Sequence, residues 1–343
     1  MTSSWLIGAV GFFGNREAGV LYAAKALANS VEYLFVAPND RFEDLLQLED
    51  NSKQWFKDDV LKLLQDRSAI PAFSATTIRL IQLTQDPDAS TDELRKVIAM
   101  DPGLGTQCIR ASNSVEFGGR NITSVEQAIM VLGMRNLGRI AVTAGVMDRF
   151  SHLRIKVDWF RFWEHSLLVA RLTQRIASAF CDANGADYLA GLLHDIGKLL
   201  LEHYFPRDFE EVLMRSAGRQ QPHYRSEREL LGLNHAQIGG AMCRAIGVHQ
   251  KVLHAIRYHH EPNSELSLKA PFANHGLLAT CVAVANAATK GINGGFECAE
   301  EVPDVTELPE WAYLDDFERV GALDVDLIAE KEKVEGDLMM LAA

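Results

Sequence analysis

His194 and Asp195 stand side by side in the run Leu-Ala-Gly-Leu-Leu-His-Asp-Ile-Gly-Lys-Leu-Leu at 189–200, and four more histidines surround them at intervals of about one helical hairpin. His165 lies 29 residues upstream of His194, while His235, His259 and His260 follow 40 to 65 residues after Asp195. Imidazoles and a carboxylate on helices that pack together make the donor set of a transition-metal site. Neighbours on a regular helix diverge by about 100°, so His194 and Asp195 can address one ion only at a helix end or distortion, for which Gly197 offers an opportunity. The plainer reading of the pair is a hydrogen-bonded contact inside an apolar core. His165 alone reads as a core or cap residue as readily as a ligand, and His235 directly follows an N-cap. His259 shares a helical face with Val252, Ala255 and Ile256 and so points inward, where an imidazole needs a partner; His260 follows Ile256 by four and borders that face. His152, His203, His223, His249, His254 and His275 fit no such pattern and read as surface or packing residues.

The elements that must carry these residues are helical. Ser90-Thr-Asp-Glu93 and Ser124-Val-Glu-Gln127 are capping boxes, Pro71, Pro87 and Pro102 mark helix entries or breaks, and Gly118-Gly119 marks a turn. Longer helices take over from about residue 156: Phe162 to Phe180 is apolar on most turns, and Asn234-His-Ala-Gln237 opens a helix that Gly247 closes. The first 60 residues are ambiguous, with a helix expected over 16–29 and a short strand or second helix over Val31 to Val36. The glycines at 8, 11 and 14 miss the dinucleotide-binding fingerprint and read as packing or turn geometry. After Phe296 an acidic segment with Pro303 and Pro309 begins as loop, and 324–341 can form one last helix.

Composition narrows the class. The chain of 343 residues, 48% of them hydrophobic, can bury one large core or two modest ones. Residues 297–343 hold 15 acidic and 3 basic side chains, which accounts for the entire net charge of −12 and leaves the body neutral. A body without clustered Lys and Arg argues against a nucleic-acid partner. The five cysteines are widely spaced and odd in number, so neither a disulfide framework nor a zinc knuckle is expected, which fits a reducing cytoplasm. The apolar opening from Trp5 to Gly14 lacks a basic flank and is too short to span a membrane, and no membrane partner is expected. The acidic tail, carrying the charge and few landmarks, is expected to be dispensable for the core.

From residue 66 to 262 the chain resembles the HDOD family, bacterial regulatory modules related to the HD phosphohydrolases. The first half carries Asp86-Pro87, Asp101-Pro102, Ala111-Ser-Asn113-Ser114, Ala128 four after Ser124, and Leu132-Gly133; the second carries Phe162-Trp with His165-Ser166, Leu192-Leu-His-Asp-Ile-Gly-Lys198 and Ile256-Arg-Tyr-His-His260. The resemblance implies an all-α, HDOD-type helical bundle with an HD-like C-terminal half, and at most short strands before residue 60. The expected organisation is an N-terminal extension at 1–60, the domain at 61–292 (an HDOD-specific half at 61–150 and an HD-like half at 151–292), and the acidic tail at 293–343. Against the related HD-GYP-type phosphodiesterases, His165, His194, Asp195, His235, His259 and His260 fall on metal-ligand positions, and Asn286 falls where those enzymes place a final aspartate. Their Gly-Tyr-Pro triplet is missing, Arg161 stands where some carry an acidic ligand, and Lys198 sits where hydrolases with the same motif orient phosphate, or is simply a solvated helix lysine.

Two divalent cations bring a charge of +4 that neutral imidazoles do not offset, and Asp195 is the single carboxylate of the set. The expected cofactor is therefore one divalent transition metal, Fe, Mn or Zn, because Mg or Ca would need more oxygen ligands. The expected function is a regulatory module with a vestigial or mononuclear metal site, acting through a signalling protein or a small nucleotide. The competing expectation is an active phosphohydrolase in which a metal-activated water attacks a phosphate ester, Asp195 holds the metal and Lys198 steers the phosphate.

Overall fold

The computed structural model describes residues 45–48, 51–66, 73–86, 88–113, 121–180, 185–262, 264, 276–293, 308–315 and 327–342, and no strand occurs among them. The expected helix at 16–29, the element at Val31 to Val36, the early glycine run and the turn at Gly118-Gly119 lie outside the described residues. The protein is all-α.

Local chemistry sets the helix starts in the first half. Helix α1 (Gln54–Gln65) buries Phe56, Val60 and Leu64, one per turn on a single face. Ser74 caps α2 (Ala75–Gln85), and Ser90 with Glu93 forms a complete capping box on α3 (Thr91–Ala99). Asp101 caps α4 (Pro102–Ser112), whose Pro102 needs no amide donor in the first turn. Ser124 caps α5 (Val125–Phe150), but Gln127 reaches back to the amide of Thr123 rather than to that of Ser124, so the expected box is displaced by one residue. Helix α5 breaks at Gly133, whose φ of 77° and ψ of 162° suit glycine alone. By length and composition α5 could cross a membrane, yet its second part buries Leu137, Ala141, Val142, Val146 and Phe150 and serves as a core helix.

The second half comprises α6 (Trp159–Ala177), α7 (Ala186–Leu193), α8 (Ile196–Tyr204), α9 (Pro206–Arg219), α10 (His223–Leu231), α11 (His235–Ala245), α12 (Gln250–Tyr258) and α13 (Gly276–Asn293). Helix α6 is flanked by α7 and α13, α8 lies on α11, and α12 touches α7, α11 and α13. An aromatic file, Phe73 to Phe150 to Trp163 to Phe162, crosses from the first half into α6. The buried residues of both halves form one contiguous core.

The acidic tail takes part in that core. Helices α14 (Pro309–Asp315) and α15 (Leu327–Ala342) pack on α13 and on α4 and α6 respectively, with Leu314, Val334 and Leu338 buried. The last helix was expected from sequence; a tail dispensable to the core was not the right inference, because net charge says nothing about the apolar stripe between the charges. Leu338→Ala should lower unfolding stability by about 2 to 5 kcal/mol, as at a buried core leucine. Chemical denaturation checks it, and a loss within roughly 0.5 kcal/mol, the range of a surface substitution, would restore the dispensable tail.

Candidate metal centre

The problem of two adjacent ligands is solved by a break between two helices. Helix α7 ends at Leu193 and α8 begins at Ile196, so His194 and Asp195 occupy the corner, with Asp195 at φ −101° and ψ 5°. Gly197 acts differently from the distortion expected of it. A Cβ there would sit 2.0 Å from the carbonyl oxygen of His235, so glycine is what lets α8 approach the N-terminus of α11. His235 is thereby brought against the corner. The Asn234–Gln237 capping box fixes the start of α11.

Asp195 is buried and its two oxygens face different histidines. Oδ1 lies 3.1 Å from His235 Nε2 and 3.7 Å from His259 Nε2; Oδ2 lies 3.3 Å from His194 Nε2 and 3.6 Å from His165 Nε2. Two donor groups result, Asp195 with His235, His259 and His260, and Asp195 with His165 and His194. Every one of the five sequence-selected histidines is therefore assembled around the one aspartate.

The ring nitrogens facing away are tied down. His194 Nδ1 donates to the carbonyl of Gly191 at 2.7 Å and His259 Nδ1 to that of Ile256 at 2.7 Å, leaving each Nε2 lone pair turned inward. Thr289 donates to the carbonyl of Asn286, so it accepts from His165 Nδ1 at 3.3 Å. His235 Nδ1 and its backbone amide both donate to Glu227 at 2.7 Å. His194 Nε2, His259 Nε2, Asp195 Oδ1 and Asn286 Oδ1 are buried without a hydrogen-bond partner. Inward lone pairs and an unsatisfied carboxylate oxygen fit a bound cation, since such buried groups are costly when left alone.

Electrostatics points the same way. Burial pushes the His165 imidazole down to about 3 and holds His259 and His260 well below the usual histidine range. These rings are neutral and ready to bind metal. Burial opposes ionisation of Asp195, but the positive charge around it, with the Lys198 ammonium 2.7 Å from Oδ2, keeps its carboxyl well below the normal range. Burial also opposes protonation of His235, yet the Glu227 carboxylate, 2.7 Å from its Nδ1, raises it to about 9. The Nε2 atoms of His235 and His260 lie 2.8 Å apart, a distance that needs a proton between them.

Lys198 is not the solvated lysine of the plainer expectation. Its Nζ is buried and donates to Asp195 Oδ2 at 2.7 Å. Asn286 is buried on α13, one turn before the Thr289 that holds His165. Arg161 is exposed and pairs with Asp158, away from the ligands. Of the histidines set aside, His249 caps α12, His203 accepts from the amide of Arg154, His223 packs on Phe209 and His254 on Tyr258.

Sequence reasoning missed Glu227, Thr289 and Tyr224. Glu227 is fully buried on the face of α10 shared with His223 and Leu231, and an acid at such an inward position was the available signal. It gives the site a second negative charge through His235. Tyr224, partly exposed, stacks on His260 with ring centroids 4.2 Å apart and closes the outer side. Arg228 grips Glu261 through both carboxylate oxygens, tying α10 to the turn that follows His260.

The family model of the HDOD domain matches residues 70–262. A solved HDOD domain protein of unknown function from Geobacter sulfurreducens superposes with a TM-score of 0.66 at 24% identity, covering 84% of this chain and 97% of that one. A structure from Marinobacter aquaeolei VT8, provisionally named a signal transduction protein, gives a TM-score of 0.63 at 22% identity and covers 98% of this chain and 68% of that one. An uncharacterised protein of Treponema pallidum (strain Nichols) is 23% identical over 194 residues, 56% of this chain. The match spans 37% of that relative's length. At these identities the structural likeness speaks for the fold alone.

Gly197→Ala should lower stability by about 1 to 3 kcal/mol, because the added methyl collides with backbone that cannot rotate away. Gly218→Ala in α9, where nothing lies within 4 Å of an added Cβ, should instead be neutral or stabilise by up to about 1 kcal/mol. Paired thermal melts check this; equal effects at both positions would remove the close approach of α8 and α11 as the reason for Gly197.

Proposed function

This chain belongs to the HDOD domain family, and from that premise we propose that it is a regulatory module of bacterial signal transduction that reads or transmits a state through an HD-type site holding one divalent transition metal. The observation carrying the reading is the turn of the histidine Nε2 edges toward Asp195, with each outer nitrogen of His165, His194, His235 and His259 already engaged. Asp195 Oδ1, His235, His259 and His260 are the residues we assign to the metal, with Glu227 behind His235 supplying compensating charge. His165 and His194 form the other group, on the side where Lys198 already neutralises Oδ2. A metal bound here would offer a cationic centre to an anionic ligand such as the phosphate of a nucleotide. The solved Marinobacter protein's name as a signal transduction protein agrees with this assignment.

The charge balance favours regulation over hydrolysis. Two cations would rely on Asp195 and, indirectly, Glu227, while Lys198 adds a positive charge at the one oxygen that the His165 and His194 side could use. Asn286 contributes no charge where a carboxylate would have helped. The second reading, a metal-dependent phosphohydrolase, is favoured by the assembly of all five histidines, and in it Asp195 and Lys198 take the catalytic roles.

On the regulatory reading, hydrolysis of bis-p-nitrophenyl phosphate and cyclic di-GMP is poor, and Asn286→Asp raises metal stoichiometry before it raises turnover. Robust metal-dependent turnover by the wild type, abolished in Asp195→Ala, would put the phosphohydrolase first. Glu227→Gln should weaken metal binding about 10- to 100-fold by removing the charge behind His235, measured by competition with a chelating dye. Unchanged affinity would separate Glu227 from the metal.

A further inference from the structure

The candidate metal centre reaches solvent at His260. His165, His194, Asp195, His235 and His259 are each at most 6% exposed, whereas His260 is half-buried. The outer nitrogens of the other four histidines are hydrogen-bonded within the protein. His260 is held instead by a ring stack on Tyr224, with centroids 4.2 Å apart and planes 15° from parallel. Tyr224 is itself half-buried, so the pair forms the rim of the centre.

Two helices bring a cation each to this rim. On α10, the exposed Arg225 follows Tyr224, and its Nε donates to the Tyr224 hydroxyl at 3.1 Å. Helix α13 packs on α12, the helix that ends beside His259 and His260. Its Asn286, Thr289 and Lys290 share one face. Thr289 accepts from His165 Nδ1, Asn286 Oδ1 is buried without a hydrogen-bond partner, and Lys290 is half-buried. Beyond burial, the Lys290 charge also opposes protonation of both His165 and His260, which sets its ammonium near the two rings. The acids of the same region are engaged elsewhere: Glu227 by His235, Glu229 by Arg215 and Arg219, and Glu261 by Arg228. Helix α13 carries no acid at all. An incoming ligand therefore meets a positive rim.

We propose that this rim is a binding site for a small phosphate-bearing ligand, gripped by Arg225 from the α10 side of His260 and by Lys290 from the α13 side. The proposal rests on the metal reading of the Asp195 cluster and names what approaches it and which residues recognise it. A guanidinium fork, an ammonium and a divalent cation behind them match a phosphate monoester, with a charge of about −1.5 to −2, better than a carboxylate with half of that. Asn286, with a donor and an acceptor on one amide, offers a further contact on the α13 side.

The test uses the full chain loaded with one equivalent of Co(II), which is paramagnetic and binds more strongly than Mn or Fe. It is titrated with inorganic phosphate, and separately with acetate, at constant ionic strength. Broadening of the phosphorus NMR line reads closeness to the metal, and calorimetry gives the affinities. The wild type should broaden the line saturably and bind phosphate more tightly than acetate. Lys290→Gln and Arg225→Gln should each weaken phosphate binding about 3- to 10-fold. Their Co(II) affinity, read with a chelating dye, should hold or rise, because a positive charge has left the neighbourhood of a cation. A merely structural role for either residue would lower both affinities together, and the exposed Arg225 can be replaced without touching the core. A phosphorus line that stays sharp beside bound Co(II), acetate bound as tightly as phosphate, or variants that bind phosphate as the wild type does would overturn the proposal and leave the metal reading standing. Failure of the Asp195 cluster to take up Co(II) would remove the metal reading and the proposal with it.

Discussion

One buried carboxylate organises the second half of this protein. Asp195 is withdrawn from water at the corner between α7 and α8, and a lone ionised group in that position would cost several kcal/mol. It persists because Lys198 donates to one oxygen and imidazoles from α6, α11 and the end of α12 gather round both. The helices that supply these groups come from four separate stretches of sequence. Their packing is therefore constrained to a common point, and the hydrogen bonds behind the rings fix how each ring is turned.

The surrounding core has the tolerance that such a point demands. Gly197 removes a side chain where α8 meets the backbone of His235, and the capping box at Asn234 sets where α11 begins. Glu227 anchors His235 from behind, while Arg228 and Glu261 hold the segment after His260. On a neighbouring face of α6, the acidic C-terminal helix is fastened through Arg171 and Glu164. The site is therefore braced by polar contacts around Asp195, while the helix that carries His165 is braced by the C-terminal helix paired to Arg171 and Glu164.

Much of this was legible in the residues. Ser90 with Glu93 and Asn234 with Gln237 announce helix starts through local hydrogen bonds, and the five histidines stand out because few other side chains offer the same chemistry at hairpin spacing. What depended on the partner across the helix interface was not legible. Lys198 allowed a solvated reading because nothing in 189–200 says that its ammonium folds back onto Asp195. Glu227 was overlooked since an acid in a charged stretch, Arg225 to Glu229, resembles an ordinary exposed face until α11 is packed against it. The tail was misjudged for a related reason: its charge is a property of composition, whereas its burial is a property of the stripe formed by Val334 and Leu338.

The central claim is that Asp195 is the shared anion of a metal centre rather than the middle of a metal-free polar core. Anomalous diffraction from crystals soaked in Mn, Fe or Zn salts, collected at the absorption edge of each metal, tests it directly. The account predicts a peak within bonding distance of Asp195 Oδ1 and of the Nε2 atoms of His235 and His259. Anomalous peaks confined to surface carboxylates or surface histidines, with the Asp195 cluster empty at full soaking concentration, would contradict it.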